Sequence, residues 1–263
     1  MYIFLSVFSA IMVIPYLWML LLSFKLQVEI SKANTILPEL WTLRNYFRVF
    51  EVAPIIRWFF NSVIVTVSAT AIILFTSTLV GFVFAKYQFR FKNLVFWFIL
   101  ATMMVPPQTT MIPSFLLINR LGLYDKLPSL IVAGMVGGFG IFLCRQFIED
   151  IPNSLCEAAR IDGAKDFYIY FRIIVPLIRP AIGALTIFTF LQYWNEYMLP
   201  LLYLNKIENM TMSLAISFFS TQRTTDIGAI MAAATLVMLP VTVVFLIFQK
   251  QFIKGIAIAG MKS

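Results

Sequence analysis

Long apolar stretches alternate with short charged segments along this chain. A helix that crosses a bilayer needs about 20 mostly apolar residues. Six stretches reach that length, and they give the predicted spans 1–24, 58–85, 93–119, 127–147, 180–205 and 227–249. The pattern predicts an all-α, polytopic membrane protein in which residues 1–263 form a single transmembrane domain with six transmembrane helices.

The composition supports a membrane protein and excludes several soluble classes. Hydrophobic residues make up 61% of the 263 residues and charged residues only 12%, whereas a soluble domain carries about 25% charged residues. A disordered chain would need far fewer apolar residues. The chain has no histidine and two cysteines, which excludes histidine-based catalytic triads and the usual histidine zinc sites. We therefore expect no catalytic residue, no metal and no cofactor in this chain.

The net charge of +8 comes from basic residues that lie between the apolar stretches and form no single patch. This scatter is typical of a membrane protein in contact with lipid, so we expect no nucleic-acid partner. The segments 86–92 and 250–263 are short, basic and free of acids. Because short loops rich in Lys and Arg stay in the cytoplasm, we expect both chain termini to be cytoplasmic.

The segment 152–180, between the fourth and fifth predicted spans, has the most specific pattern. Ser154 and Glu157 have the S-x-x-E spacing of a capping box, which predicts the start of a helix. Gly163 can adopt the left-handed conformation that ends a helix. A second helix follows and is expected to stop before Pro176, because proline disfavours helical geometry in the residue ahead of it. The segment is thus predicted to be a cytoplasmic helix-turn-helix.

Helix capping alone would explain Glu157, and contact with a partner protein is the alternative. The wider pattern favours the partner. The order Glu-Ala-Ala at 157–159, then Gly163 and Pro176, resembles the EAA loop of ABC-importer permease subunits. Trp194-Asn195-Glu196 matches the sugar-transporting branch, and other familiar segments occur at 42–46 and at Asn61-Ser62. Over nearly its whole length the chain resembles the six-span permease of the maltose-type carbohydrate importers.

This resemblance implies a binding-protein-dependent permease that imports carbohydrate across a prokaryotic cell membrane. Its partners would be a second homologous permease, two ATPase subunits that hold ATP and magnesium, and an extracytoplasmic solute-binding protein. The chain lacks the G-x-x-x-x-G-K-[ST] phosphate loop, so ATP hydrolysis would belong to the partners. A non-sugar solute, such as a glycerol phosphate ester, is the alternative cargo. The residues expected to couple to the ATPase are Glu157, Ala158, Ala159, Arg160, Asp162, Gly163, Ala164 and Pro176.

Glu196 is the only acid inside a predicted span, and such groups usually face a cavity or a partner because they are costly in lipid. Its neighbours Tyr193, Trp194 and Asn195 suit a wall of the translocation path. Aromatic rings stack on the apolar faces of sugars, and polar groups bond to sugar hydroxyls. In the alternative interpretation, Glu196 lies near the outer interface and bonds within the permease pair, while the other permease holds the substrate.

Two further patterns concern helix geometry. Gly134 and Gly138 form G-x-x-x-G, which indicates either close helix packing or a moving gate. Pro106-Pro107 predicts a kink in the third span. Two other protein classes are disfavoured. A membrane enzyme would need a cluster of catalytic groups at one depth, and an ion-coupled transporter would usually show paired acids or repeated broken helices.

Overall fold

A computed structural model describes residues 2–32, 35–221 and 226–260. Every regular element in these residues is helical, which confirms the all-α prediction. The parts of the predicted domain between and beyond these ranges lie outside the described residues.

The helices are numbered here in chain order. They are α1 (Tyr2–Ser23), α2 (Gln27–Lys32), α3 (Arg44–Val52), α4 (Ile55–Lys86), α5 (Lys92–Thr102), α6 (Pro107–Arg120), α7 (Pro128–Val132), α8 (Gly138–Glu149), α9 (Asn153–Ile161), α10 (Asp166–Leu177), α11 (Arg179–Trp194), α12 (Met198–Tyr203), α13 (Ala215–Thr221) and α14 (Ile227–Gly260). Short 3-10 turns occupy Ile207–Asn209 and Met212–Leu214, and α10 contains a π turn at Tyr170–Ile174.

Three helices in the described residues are long and apolar enough to cross a membrane: Phe4–Ser23, Ile55–Lys86 and Ile227–Ile247. Two further candidate spans are bent pairs, α5 with α6 at 98° and α10 with α11 at 79°. The stretch 127–147 is divided between the short helices α7 and α8, and 180–205 is divided between α11 and α12. Length and composition therefore support three to five spans in the described residues, and the count of six remains a prediction.

The bend between α5 and α6 has a proline cause. Pro106 has an extended backbone, with φ −59° and ψ 130°, and Pro107 is the first residue of α6. Proline pushes the residue before it out of the helical region, while its fixed φ suits the first turn of a new helix. The kink predicted at Pro106-Pro107 is confirmed, and it is a full break between two helices.

The chain divides into two compact units, Met1–Ser62 with Asn205–Val243 and Val63–Leu204 with Val244–Ser263. In the first unit Trp58 is fully buried, and its indole N–H donates to the Ile207 carbonyl at 2.6 Å. The Asn61 amide donates to the carbonyls of Glu208 and Met210, and the Ser62 hydroxyl accepts the main-chain N–H of Met212.

Asn45, in the 42–46 segment, has a similar structural role in the first unit. Its buried amide donates to the carbonyls of Ser23 and Lys25, at 2.9 and 2.7 Å, and so satisfies the end of α1. A Cβ on Gly228 would lie 2.7 to 2.8 Å from that amide, so α3 and α14 meet closely here. These family-like residues outside the 152–180 loop hold the first unit together.

In the second unit, glycines bring helices close together. Gly134 and Gly138 do not share a helix, because one follows α7 and the other begins α8. A Cβ on Gly138 would lie 2.8 Å from the Met103 side chain, and a Cβ on Gly81 would lie 2.9 Å from that of Cys144. The packing interpretation is therefore favoured at Gly138, with α8 lying against both α4 and α5.

Candidate coupling loop and polar cavity

The first helix of the 152–180 loop begins in a different way from the sequence prediction. α9 starts at Asn153, with Pro152 as its N-cap and no side-chain cap hydrogen bond. The capping-box prediction is wrong, because Ser154 is already the second helical residue and cannot occupy the N-cap position. Instead Lys86 fixes this end of α9. Its ammonium donates a hydrogen bond to the Ile151 carbonyl and a second one, of 2.9 Å, to Asn153 Oδ1.

The turn after α9 has the geometry expected at Gly163. Its φ is +85°, a left-handed value that glycine adopts without steric cost. The Gly163 N–H bonds to the Arg160 carbonyl at 3.0 Å, and the Ala164 N–H bonds to the Ala159 carbonyl at 2.9 Å. These bonds satisfy carbonyls at the end of α9, as in a glycine C-cap. The prediction that Gly163 ends the helix is confirmed.

The second helix of the loop does not stop before Pro176. α10 runs through this proline to Leu177 because a π turn, Tyr170–Ile174, comes immediately before it. A proline ring usually clashes with the carbonyl four residues earlier. Here the helix is widened: the Val175 N–H bonds five residues back, to the Tyr170 carbonyl. The wider turn leaves room for the ring, and the chain bends only at the start of α11.

One side of the loop is anchored within the second unit. Cys156, Ile169 and Ile174 are buried in a cluster with Phe82 of α4 and Ile148 of α8. Of the predicted coupling residues, Ala159 and Ala164 are half-buried against this cluster, and Pro176 is also half-buried. The exposed ones are Glu157, Ala158, Arg160, Asp162 and Gly163. The anchored side fixes the position of the loop and leaves its other side available.

The exposed side of the loop is apolar as well as charged. Ile161 is 86% exposed and Phe167 66% exposed, and Leu155 and Tyr168 are also exposed. Large apolar side chains that are grouped on a surface mark contact sites. These apolar residues flank Glu157 and Asp162 in the sequence. The exposed side of the loop therefore combines apolar side chains with two carboxylates.

A three-residue network closes the loop against the end of α4. Arg160 Nη2 lies 3.2 Å from Asp166 Oδ1, and the Arg160 guanidinium carbon lies 5.4 Å from the centre of the Tyr87 ring. Burial raises the pKa of the Tyr87 hydroxyl, and the hydrogen bond to Asp166 raises it further, against a smaller opposite effect of Arg160. The Tyr87 hydroxyl therefore stays protonated at neutral pH.

A polar cavity of about 400 Å³ lies elsewhere in the second unit. Tyr193 and Glu196 line it, as the sequence predicted for a path wall, but Trp194 and Asn195 do not. Trp194 is buried and stacks on Phe190 at 5.8 Å, and the Asn195 amide bonds to the Leu191 carbonyl at the end of α11. The full lining is Pro107, Gln108, Thr110, Met111, Ser114, Ala133, Gly134, Gln192, Tyr193, Glu196, Met198, Leu199 and Tyr203.

The α6 wall of this cavity was missed by sequence reasoning. Gln108, Thr110 and Ser114 bring polar side chains to the cavity from inside an apolar stretch. A signal was present, because Thr110 and Ser114 are four residues apart and so lie on one face of a helix. Polar residues repeated at helical spacing within a predicted span indicate a face that does not contact lipid.

Two close contacts shape the cavity. A Cβ on Gly134 would overlap the Tyr193 hydroxyl. The Tyr193 side chain can therefore occupy its position only because residue 134 has no side chain. Glu196 Oε1 accepts the main-chain N–H groups of Met198 and Leu199, at 3.0 and 3.1 Å. A carboxylate at the start of a helix is stabilised by such N–H groups, so Glu196 supports the start of α12.

Comparison with known proteins identifies the class of this molecule. Residues 77–258 match the family described as "Binding-protein-dependent transport system inner membrane component". The chain belongs to this family. The resemblance to importer permeases is thereby confirmed, and so is the assignment to a membrane.

Two relatives and one solved structure illustrate the similarity. The arabinooligosaccharides transport system permease protein AraQ of Bacillus subtilis is 33% identical, over 99% of this chain and 94% of that protein. The diacetylchitobiose uptake system permease protein NgcG of Streptomyces coelicolor is 31% identical, over 94% and 83%. A chain of a bacterial ABC transporter involved in the import of the acidic polysaccharide alginate has the same fold, with a TM-score of 0.87, 22% identity and coverage of 95% and 94%.

Proposed function

We propose that this permease carries a carbohydrate into the cell as one subunit of an ABC importer. The observation that carries the proposal is the 152–180 loop, anchored on one side and exposed on the other, in a chain of this transport family. Oligosaccharide transport in the named relatives supports the choice of cargo. The cavity supports it too, because its tyrosines, amides and carboxylate suit the apolar faces and hydroxyls of sugars.

The energy for transport comes from partner chains. Of the eight predicted coupling residues, Glu157, Ala158 and Asp162 contact an ATPase subunit. The other five support the loop: Arg160 and Gly163 at its turn, and Ala159, Ala164 and Pro176 as half-buried residues. Two ATPase subunits bind ATP and magnesium, a second homologous permease completes the path, and an extracytoplasmic solute-binding protein delivers the sugar. Both termini of this chain are cytoplasmic, on the side where the loop meets the ATPase.

Tyr193 and Glu196 contact the sugar as it passes, together with the α6 wall. Trp194 and Asn195 act indirectly, because they fix the end of α11 from which those two residues project. Gln108 and Ser114 add hydrogen-bonding groups across the cavity. The cavity is thus a passage of moderate polarity and not a tight binding pocket.

The test is reconstitution of the complete complex in proteoliposomes. The complex is assembled with its ATPases, its second permease and a panel of solute-binding proteins, and ATP hydrolysis and uptake of radiolabelled sugars are measured together. We expect one oligosaccharide to stimulate hydrolysis and to enter the vesicles only when its binding protein is present. Hydrolysis that responds to a glycerol phosphate ester, with no response to any sugar, would contradict the carbohydrate assignment and leave the importer assignment in place.

A further inference from the structure

The end of α4 contacts both ends of α9. Lys86 donates to the Ile151 carbonyl and to Asn153 Oδ1, at the point where α9 begins. The next residue, Tyr87, lies against Arg160 at the point where α9 ends. Two consecutive side chains therefore hold the whole length of a nine-residue helix.

The same side chains reach the helix after the turn. The Tyr87 side chain packs against the buried cluster that contains Cys156 of α9 and Ile169 of α10, and Arg160 Nη2 bonds to the Asp166 carboxylate of α10 at 3.2 Å. A single exposed ion pair stabilises a protein very little. In this arrangement, however, one aromatic residue of the α4 end contacts both α9 and α10, so the two helices cannot shift relative to it without breaking several contacts together.

Further up α4, buried contacts reinforce this attachment. Thr78, Phe82 and Lys86 are spaced by four residues and so lie on one face of the helix. The Thr78 and Tyr170 hydroxyls are 2.6 Å apart and buried, and the Phe82 ring lies 5.7 Å from the Tyr170 ring. Tyr170 begins the π turn of α10. One face of α4 therefore holds both helices of the coupling loop.

We propose that Lys86 and Tyr87 form a clamp that makes α4 move as one body with α9. The proposal rests on the function proposed above, in which an ATPase pushes on the exposed side of the loop. The clamp transfers that displacement to α4, a helix long and apolar enough to cross the membrane. Lys86 and Tyr87 are positioning residues in this scheme, because they act through α9 and contact neither ATP nor cargo.

The test uses the reconstituted complex and the variant K86M/Y87L. Lys86→Met keeps an unbranched stem but removes the ammonium, and Tyr87→Leu keeps an apolar side chain but removes the ring that lies against Arg160. We expect sugar-stimulated ATP hydrolysis to persist while the amount of sugar moved per ATP falls about fivefold or more, the lower end of typical coupling between sites. When Lys86→Arg replaces Lys86→Met in this variant, most of the native ratio of sugar moved per ATP should return, because a guanidinium can donate to the same oxygens. Lys92→Met removes a nearby charge at the start of α5 and should leave the ratio unchanged.

The outcomes separate the clamp from the proposed function. If the native complex neither hydrolyses ATP nor takes up sugar, the proposed function fails before any variant is compared. If the native complex works and K86M/Y87L moves as much sugar per ATP, the clamp is wrong. A parallel loss of hydrolysis and uptake would also overturn it, because that result indicates damage to assembly.

Spin labels provide a second measurement that does not depend on activity. Cysteines introduced by Ser154→Cys and Phe89→Cys place one label on α9 and one just beyond α4, and both positions are exposed. The native cysteines, Cys144 and Cys156, are buried. When Lys86 and Tyr87 are native, we expect the same distance between the two labels with and without ATP. A distance that changes with ATP in the native complex would show that the two helices move separately and would overturn the clamp.

Discussion

The coupling loop takes its exposed surface from one continuous stretch, 153–177, whereas the polar cavity takes its wall from three separate stretches of the second unit, 107–114, 133–134 and 192–203. In the loop, neighbours in sequence are neighbours in space, and the turn at Gly163 joins them. In the cavity, Tyr193 meets Gly134, almost 60 residues away in sequence, and side chains of α6 complete the wall. A surface built locally can be encoded as a motif. A surface built from distant residues depends on how helices pack.

The largest effect expected from this difference is at the turn of the loop. Gly163→Pro forces φ to about −65° at a position where the native value is +85°. The turn would open and α10 would no longer face α9. We expect sugar uptake by the reconstituted complex to fall about a hundredfold, near the upper end of typical coupling between sites. Uptake and ATP hydrolysis are measured on the same vesicles.

Gly122 provides the matched control, since it ends α6 in a turn with φ +67° and open space around its Cα. Gly122→Pro creates the same backbone conflict outside the coupling loop. We expect it to lower thermal stability but to preserve uptake per folded complex. Equal loss of uptake in both variants, after correction for folded protein, would mean that the loop turn has no special part in coupling.

A smaller effect is expected when the loop keeps its shape and changes its charge. Glu157 is exposed, and exposed substitutions usually alter stability by less than about 0.5 kcal/mol. Glu157→Lys should leave the melting temperature unchanged while uptake falls about tenfold, the equivalent of about 1.4 kcal/mol at the contact with the ATPase. Uptake and melting temperature are measured side by side, with Glu157→Gln as the neutral variant of similar shape.

The order of these three proteins tests what Glu157 contributes. If charge matters, Glu157→Gln should lie between the native protein and Glu157→Lys. Native uptake by Glu157→Lys would remove this residue from the proposed contact surface and would leave Ala158 and Asp162 as its remaining members.

The sequence predicted the loop better than the cavity for a physical reason. Gly163 was predicted correctly because its role follows from its own lack of a side chain. The start of α9 and the end of α10 were predicted incorrectly, because both depend on groups outside the local pattern. Lys86, 67 residues before Asn153, fixes the first, and the π turn before Pro176 changes the second.

The cavity shows the same limit more strongly. Tyr193 and Glu196 do line the cavity, and their place on a translocation path stays a prediction. Their neighbours Trp194 and Asn195 were included only by adjacency. The periodicity of a helix turns adjacent residues in different directions, and the structure places Trp194 in packing instead.

A third prediction tests the contact between distant parts of the cavity wall. Gly134→Ala places a methyl group where the Tyr193 hydroxyl lies. Overpacking of this kind costs about 1–3 kcal/mol, and we expect the tyrosine to move into the cavity. Uptake should fall about fivefold, the equivalent of about 1 kcal/mol, and the affinity of the complex for ATP should stay the same. Uptake kinetics at varied sugar and varied ATP separate the two.

The control is a second substitution at the other side of the contact. Tyr193→Phe removes the hydroxyl and makes room for the new methyl group, so the double variant should transport better than Gly134→Ala alone. Additive losses in the double variant would show that the two positions act independently and that the contact has no role in transport.

The smallest effect is expected at Glu196, where the cavity and the helix break share one residue. Oε1 of Glu196 accepts two main-chain N–H groups at the start of α12. Glu196→Gln keeps an oxygen for those donors and loses the charge, while Glu196→Ala loses both. Loss of a helix cap costs about 1 kcal/mol, so only the alanine variant should have a clearly lower melting temperature. If the carboxylate also bonds to sugar hydroxyls, both variants should reduce uptake, because a charged acceptor binds a hydroxyl more strongly than an amide does. If the glutamine variant transports normally, Glu196 belongs to the helix start alone, and the sugar path in this chain consists of Tyr193 and the polar side chains of α6.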